Sequence, residues 1–481
     1  MLLMKKPHKT LSVSLYVIVI AAFFAIIADT LLTTGMFMDG LIYADVANNM
    51  ARGIGSFWHP SCTLTFHHEF YEHPPLAMWL LSLFFRIFGD GVWVVRLYSM
   101  LVTALTALLM LKLWKHLGFD MEMGWLPLMM WTLVPAVTLN SHENMLECTM
   151  AVFVLGAVLA IYKDGYWRMA LAGVLLLCAF LTKGFTGLYP FLLPFILFIT
   201  RPRNNAFTRS FAHAFHRMLS NTVVMLAAFG AGFALICVLS NDAWTYLTTY
   251  FSHQVSGTIN DAVVDSRFWI LKKFFEETVI LWVLVLFGIV REIRRCKADP
   301  CMAPNLPQLP LVLLTLSGVI PIMVSMKQRD FYILTVYPFL AVSVSVGLCD
   351  MVERWCRRGS KTVAAVSVAL AAATVVVAVV LNASYYDKPG RDVAMQNDLD
   401  IIKEYLEEGE LISVGTDEYV NYSMHGYYYR EKRVSLEHGY RQRHLVMRDE
   451  DLFRQLQLDT IYAPMTLPTQ EYHLYERVNG D

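Results

Sequence analysis

The sequence is poor in charge. Asp, Glu, Lys and Arg make up only 16% of its 481 residues, against 56% hydrophobic residues, and the mean hydropathy is +0.46. A water-soluble domain carries about 25% charged and about 45–50% apolar residues, so that class is excluded. The 39 Lys and Arg nearly cancel the 40 Asp and Glu, leaving a formal net charge of -1. No global field favours a polyanion, which argues against a nucleic-acid partner. The eight cysteines form no disulfide framework, since most sit in or beside apolar runs. Cys296 and Cys301 resemble half a metal motif, but no second Cys or His pair follows them. There is no internal repeat and no low-complexity stretch. No pair of broken helices is evident in corresponding positions of two halves, which weighs against an inverted-repeat transporter. A cleavage site of small residues is also missing after Lys5, Lys6 and Lys9, and the apolar run there is too long for a signal peptide. An uncleaved first span is expected.

What the chain does have is apolar blocks of spanning length. Candidate spans cover residues 11–33, 92–113, 124–138, 149–162, 169–181, 188–199, 221–239, 278–290, 311–326, 331–348 and 363–381. The expected fold class is a mainly α, polytopic membrane protein with about 11–13 transmembrane helices. Residues 76–88 are apolar but short, bounded by Pro75 and Gly89, and read as an interfacial helix. With the N-terminus cytoplasmic, the basic clusters at 112–116, 163–168, 201–217, 291–297 and 354–361 fall on one side, as the positive-inside rule requires. A domain of residues 1–382 is expected in a bacterial inner membrane. The polar residues 383–481 form a second, extracytoplasmic domain. There, 392–408 and 449–456 read as helices and 411–414 and 460–462 as strands, a small α/β fold.

The unusual polar residues gather in loops on the non-cytoplasmic side. Asp39 and Asp45 follow the first span. Six apart, they occupy different faces of any helix. A carboxylate there can serve as general base, and Asp39-Gly40 equally fits a cap for a helix starting near Leu41. Asp45 reads as a supporting, solvated or structural acid. Glu72 and His73 are held against the next helix by Pro74-Pro75. Glu143 and Glu147 share a helical face at the start of a span. Such acids fit a helix N-terminus or a site. Lys183, in Leu181-Thr182-Lys183-Gly184, and Lys327 with Arg329 are cations where the orientation rule disfavours them, and suit phosphate binding. A snorkelling lysine and a solvated pair are the alternatives.

In order, Asp39-Gly40, Tyr71-Glu72-His73-Pro74-Pro75, Arg96-Leu97, Glu147, Leu181–Gly184, Tyr250-Phe251-Ser252-His253, Phe268-Trp269 and Lys327 to Tyr337-Pro338 resemble the GT-C membrane glycosyltransferases that use polyprenyl-phosphate sugars. The similarity is to the branch of lipid A aminoarabinose transferase and protein O-mannosyltransferase-like proteins. The resemblance implies that Asp39 engages the acceptor nucleophile, with Glu147 as second catalytic acid. His73, Lys183, Lys327 and Arg329 would lie near the donor phosphate. Glu72 and His253 match positions able to contribute to a divalent metal site (Zn, or Mg/Mn), and Asp45, Glu143 and Tyr337 support the acceptor side. Ile42 stands where the family often has Arg, His73 where it has Lys, and Glu147 where it has Asp.

The expected activity is transfer of a sugar from a polyprenyl-phosphate carrier to a lipid (lipid A-like) or protein acceptor, among membrane lipids. The rival is a polyprenyl-lipid flippase without transfer activity. It predicts charges near the midplane and on both faces, whereas these lie on one.

Overall fold

In a bilayer an apolar segment can bond only to its own backbone, so runs of this length become helices. The computed structural model describes residues 9–201, 211–260, 262–298, 306–358 and 360–478. Lys5, Lys6 and Cys301 lie outside them, as do part of the 201–217 cluster and the side chains of Cys296 and its neighbours at 295–297. Among the described residues, seven helices are long and apolar enough to cross a membrane. They are Lys9–Ile26, Val92–His116, Leu146–Lys163, Tyr166–Lys183, Phe211–Leu239, Asp330–Arg357 and Lys361–Tyr385. The protein is a multi-pass membrane protein.

The other expected spans are short or interrupted. Residues 124–138 fold as Trp125–Thr132 and Pro135–Asn140. The segments Phe185–Ile199 and Leu309–Val324 pass between α and 3-10 helix. Pro135, Pro190, Pro194, Pro310 and Pro321 supply the cause, since each removes a backbone donor and fixes φ. Hydropathy does not register such breaks. Residues 278–290 lie inside Trp269–Ala298, which kinks at Thr278.

The chain divides into two compact units. The first comprises Met1–Ile27, Glu72–Ala77 and Ser99–Leu381. Within it, Leu146–Lys163 and Tyr166–Lys183 pack as a helical hairpin, and Phe211–Leu239 lies along the second of these. Gly173 allows that approach, because a Cβ there would sit 2.3 Å from the Met225 carbonyl oxygen. Helix Tyr337–Arg357 packs against Trp125–Thr132, Trp269–Ala298 and Leu309–Val319. Gly347 meets Gly288 of Trp269–Ala298, a small-residue crossing of the kind membrane helices use. Val223, Leu226, Leu235 and Val238 of Phe211–Leu239 are exposed, as suits a lipid-facing surface.

The second unit comprises Ala28–Tyr71, Met78–Tyr98 and Asn382–Asp481. Its sheet has strands β1 (Leu411–Val414), β2 (Ser435–His438), β3 (His444–Met447), β4 (Tyr462–Pro464) and β5 (His473–Arg477), in the order β2-β1-β3-β5-β4. β1 pairs in parallel with β2 and β3, while β5 pairs antiparallel with β3 and β4. Helix Glu450–Gln455 is capped by Asp449, which accepts from the Leu452 N–H. The expected helix 392–408 is Val393–Ile402 with a 3-10 turn after it, and the last expected strand begins at Tyr462 because 458–460 is a 3-10 turn.

One carboxylate anchors the tail. Asp398, fully buried, accepts from the backbone N–H groups of Gln470, Glu471 and Tyr472 at 2.7, 2.8 and 2.9 Å. Charge-assisted bonds contribute about 1.5–3 kcal/mol each, so Asp398→Ala is expected to cost about 3 kcal/mol or more locally. Limited proteolysis near residue 470 should then run roughly 100-fold faster. Cleavage at the wild-type rate would show that the three bonds do not hold the tail.

Candidate functional site

Helix Leu146–Lys163 begins at the end of the hairpin where Tyr166–Lys183 finishes. Their terminal residues Glu147 and Lys183 therefore meet. The two form an ion pair with side chains 0% and 4% exposed. Lys183 is thus a cation matched by an acid from the neighbouring helix, and the snorkelling alternative fails because it is buried. Its Nζ also lies 4.9 Å from the ring centre of Tyr332 and 5.4 Å from that of Phe331. Such a pair costs much desolvation and is a poor device for stability alone.

His73 joins this region through helix Asn241–Asn260. Tyr246 donates its hydroxyl to the His73 carbonyl at 2.8 Å, and Gln254 donates Nε2 to the Glu72 carbonyl at 3.1 Å. Tyr250, one turn on from Tyr246, places its hydroxyl against Gly184. That residue has φ +82° and leaves no room for a Cβ, which would fall 1.9 Å from the Tyr250 oxygen. Burial, and after it the positive charges of Lys183 and Lys327, hold the His73 imidazole well below its ordinary range. It is neutral at pH 7. Lys327 is half-buried on a loop fixed by Gln328. The Gln328 side chain accepts from the Ile270 N–H at 2.8 Å and donates to the carbonyls of Arg267 and Ser325 at 3.0 and 2.6 Å. The first unit thus gathers His73, Glu147, Lys183 and Lys327 from four distant stretches of sequence.

The other expected residues are placed differently. Arg329 and His253 are exposed. Glu143 is buried beside His142, with Nε2 to Oε1 at 3.4 Å. Tyr337 donates to Glu277 Oε2 at 3.0 Å and stacks on Phe274, a contact inside the helix packing. Among the described residues no three His, Cys, Asp or Glu side chains come together as a metal-ligand set. The described residues do not fit a protein-held divalent ion.

In the second unit, helix Met38–Arg52 has Phe37 at its N-cap. Asp39 therefore lies in the first turn, half-buried, and is not the cap of a helix starting at Leu41. Asp45 is 1% exposed, so it is not solvated. Burial pushes its carboxyl well above the ordinary range, against an opposing effect from Arg430. Ile42 is 4% exposed in the same packing.

Sequence reading passed over Tyr246, Glu277 and Arg430. Two signals were available. Tyr246 and Tyr250 are four apart on one helix face, and Glu277 opens an apolar run as Glu147 does.

The family model described as dolichyl-phosphate-mannose-protein mannosyltransferase matches residues 72–229. Similar solved structures include ArnT from Cupriavidus metallidurans bound to undecaprenyl phosphate. It has a TM-score of 0.64 at 15% identity, over 96% of this chain and 98% of that one. The Archaeoglobus fulgidus oligosaccharyltransferase tethered with an acceptor peptide has a TM-score of 0.50 at 13% identity, over 88% of this chain and 63% of that one. Comparison with curated proteins finds no match. The chain has the GT-C fold of these membrane glycosyltransferases, and the resemblance read from its residues stands.

Proposed function

We propose that this protein transfers a sugar from a polyprenyl-phosphate carrier to a hydroxyl of a lipid or protein acceptor at the extracytoplasmic face of a bacterial inner membrane. The observation that carries the reading is the buried Glu147–Lys183 pair, with His73 and Lys327 beside it. The acceptor oxygen forms a bond to the anomeric carbon, whose bond to the phosphate oxygen breaks with inversion. The polyprenyl phosphate leaves with the bonding electrons. Lys183 and Lys327 stabilise the charge that develops on it. The neutral His73 imidazole offers a hydrogen bond to phosphate. Asp39 takes the acceptor proton, a role that rests on the family resemblance. The solved relative with bound undecaprenyl phosphate supports the carrier class.

Lipid extracted from purified protein and analysed by mass spectrometry tests the donor half. Wild type is expected to retain a polyprenyl phosphate. A Glu147→Gln/Lys183→Met double variant, which leaves no unpaired charge, should lose most of it. Equal retention by both proteins would remove the phosphate role from Lys183.

A further inference from the structure

Asp45 sits mid-helix in Met38–Arg52, and neither carboxyl oxygen has a hydrogen-bond partner among the described residues. Helix Tyr422–Lys432 crosses it at Gly426, where a Cβ would lie 3.3 Å from Asp45 Oδ2 and 2.5 Å from Leu41 Cγ. The carboxyl is therefore enclosed in a helix–helix seam, opposite a residue with no side chain. The titratable and charged groups around it are Cys62 from the 53–71 loop and Tyr429 and Arg430 from the crossing helix, with Asp90 and Arg96 beyond Arg430. Arg430 is engaged elsewhere, donating Nη2 to the Asp90 carbonyl at 2.8 Å. Other polar groups of the seam are hydrogen-bonded. Tyr429 donates to Asn49 Oδ1 at 3.0 Å, and Asn49 Nδ2 donates to the Ser61 and Cys62 carbonyls at 3.0 and 2.6 Å.

We propose that Asp45 is a positioning residue, seated as the neutral acid in the seam between Met38–Arg52 and Tyr422–Lys432, and that its deprotonation loosens the helix that carries Asp39. A buried carboxylate with no donor is costly, whereas the neutral acid fits the space. Asp39 and Asp45 are on one helix, so a shift at the seam moves both. The functional half of this proposal rests on the role given to Asp39 above; the protonation half does not.

The direction of the pH effect follows from linkage. The folded carboxyl binds its proton more tightly than the unfolded one, whose ordinary value is 3.8. Above that value the unfolded state ionises first. Stability then falls with rising pH until the folded group also ionises. The full-length protein in detergent is unfolded thermally at pH 6 and pH 8.5. The wild-type midpoint should fall by about 3 °C more than that of Asp45→Asn or Asp45→Leu. The leucine variant gives the reading should the asparagine variant fold poorly. Parallel falls in all three would overturn the proposal. As the pH is raised until the folded carboxyl ionises, wild-type kcat should drop relative to both variants, with the donor KM unchanged. A midpoint difference with superimposable kcat profiles would overturn the positioning role. If no protein shows transfer, the reading of Asp39 fails, while the midpoints still decide the protonation of Asp45.

Discussion

Lys183→Ala is expected to lower both the stability and the activity of the purified protein, and a second substitution should restore only the first. Glu147 and Lys183 are nearly inaccessible to water. Removing the lysine leaves the buried Glu147 carboxyl without its cation, a loss of about 3–5 kcal/mol for a broken buried pair. The thermal midpoint should fall by several degrees. Glu147→Gln in the Lys183→Met background removes the second charge, and buried pairs replaced as a unit are often neutral for stability. The double variant is therefore expected to regain the wild-type midpoint. It should still transfer no sugar, because the cation proposed to stabilise the leaving phosphate is gone. Recovery of transfer together with stability would make the pair a structural clamp and nothing more. Thermal scans and turnover on wild type and the two variants separate these outcomes.

How much of this was readable in the sequence depends on how far apart the interacting residues lie. The fold class followed from hydropathy, and β1 appears at Leu411–Val414 where its apolar run predicted it. Loop sidedness grouped the polar residues of 140–147, 183–187 and 327–330, and within the first unit Glu147, Lys183 and Lys327 gather. Pairing could not be seen. Lys183 looked like a lone cation because its partner lies 36 residues earlier, and only the helical hairpin brings the two ends together. The breaks at Pro135 and in 185–199 and 309–324 escaped a window average that treats proline as one residue among twenty. The placing of residues 28–71 and 78–98 in one compact unit with the tail also left no local signal. Their association depends on contacts such as Asn49–Tyr429 and Phe66–His425, hundreds of residues apart. Asp45 shows the same limit. Its six-residue offset from Asp39 showed that it faces elsewhere, but not that Gly426 would cover it.

Asp39→Asn is expected to separate catalysis from stability more sharply than any other single change. The side chain is half-buried in the first turn of Met38–Arg52, where its negative charge is favourable to the helix dipole. That interaction is about 0.3–1 kcal/mol, and the cap position belongs to Phe37, which makes no side-chain capping hydrogen bond, so no capping contribution is lost. Asparagine keeps the shape and a carbonyl oxygen but cannot take a proton from a hydroxyl. If Asp39 is the general base, turnover should fall by about 100- to 10,000-fold. The midpoint should move by about 2 °C or less, and co-purified polyprenyl phosphate should stay at the wild-type level. A carrier flippase would respond in another way, since moving the lipid needs no base at the acceptor, and translocation of a fluorescent polyprenyl phosphate in proteoliposomes would survive the substitution. A variant with wild-type turnover would remove Asp39 from the reaction. A large drop in midpoint accompanying the lost turnover would assign the residue to the fold instead. Only lost turnover at unchanged midpoint and unchanged lipid content fits a carboxylate whose charge is used on the acceptor proton.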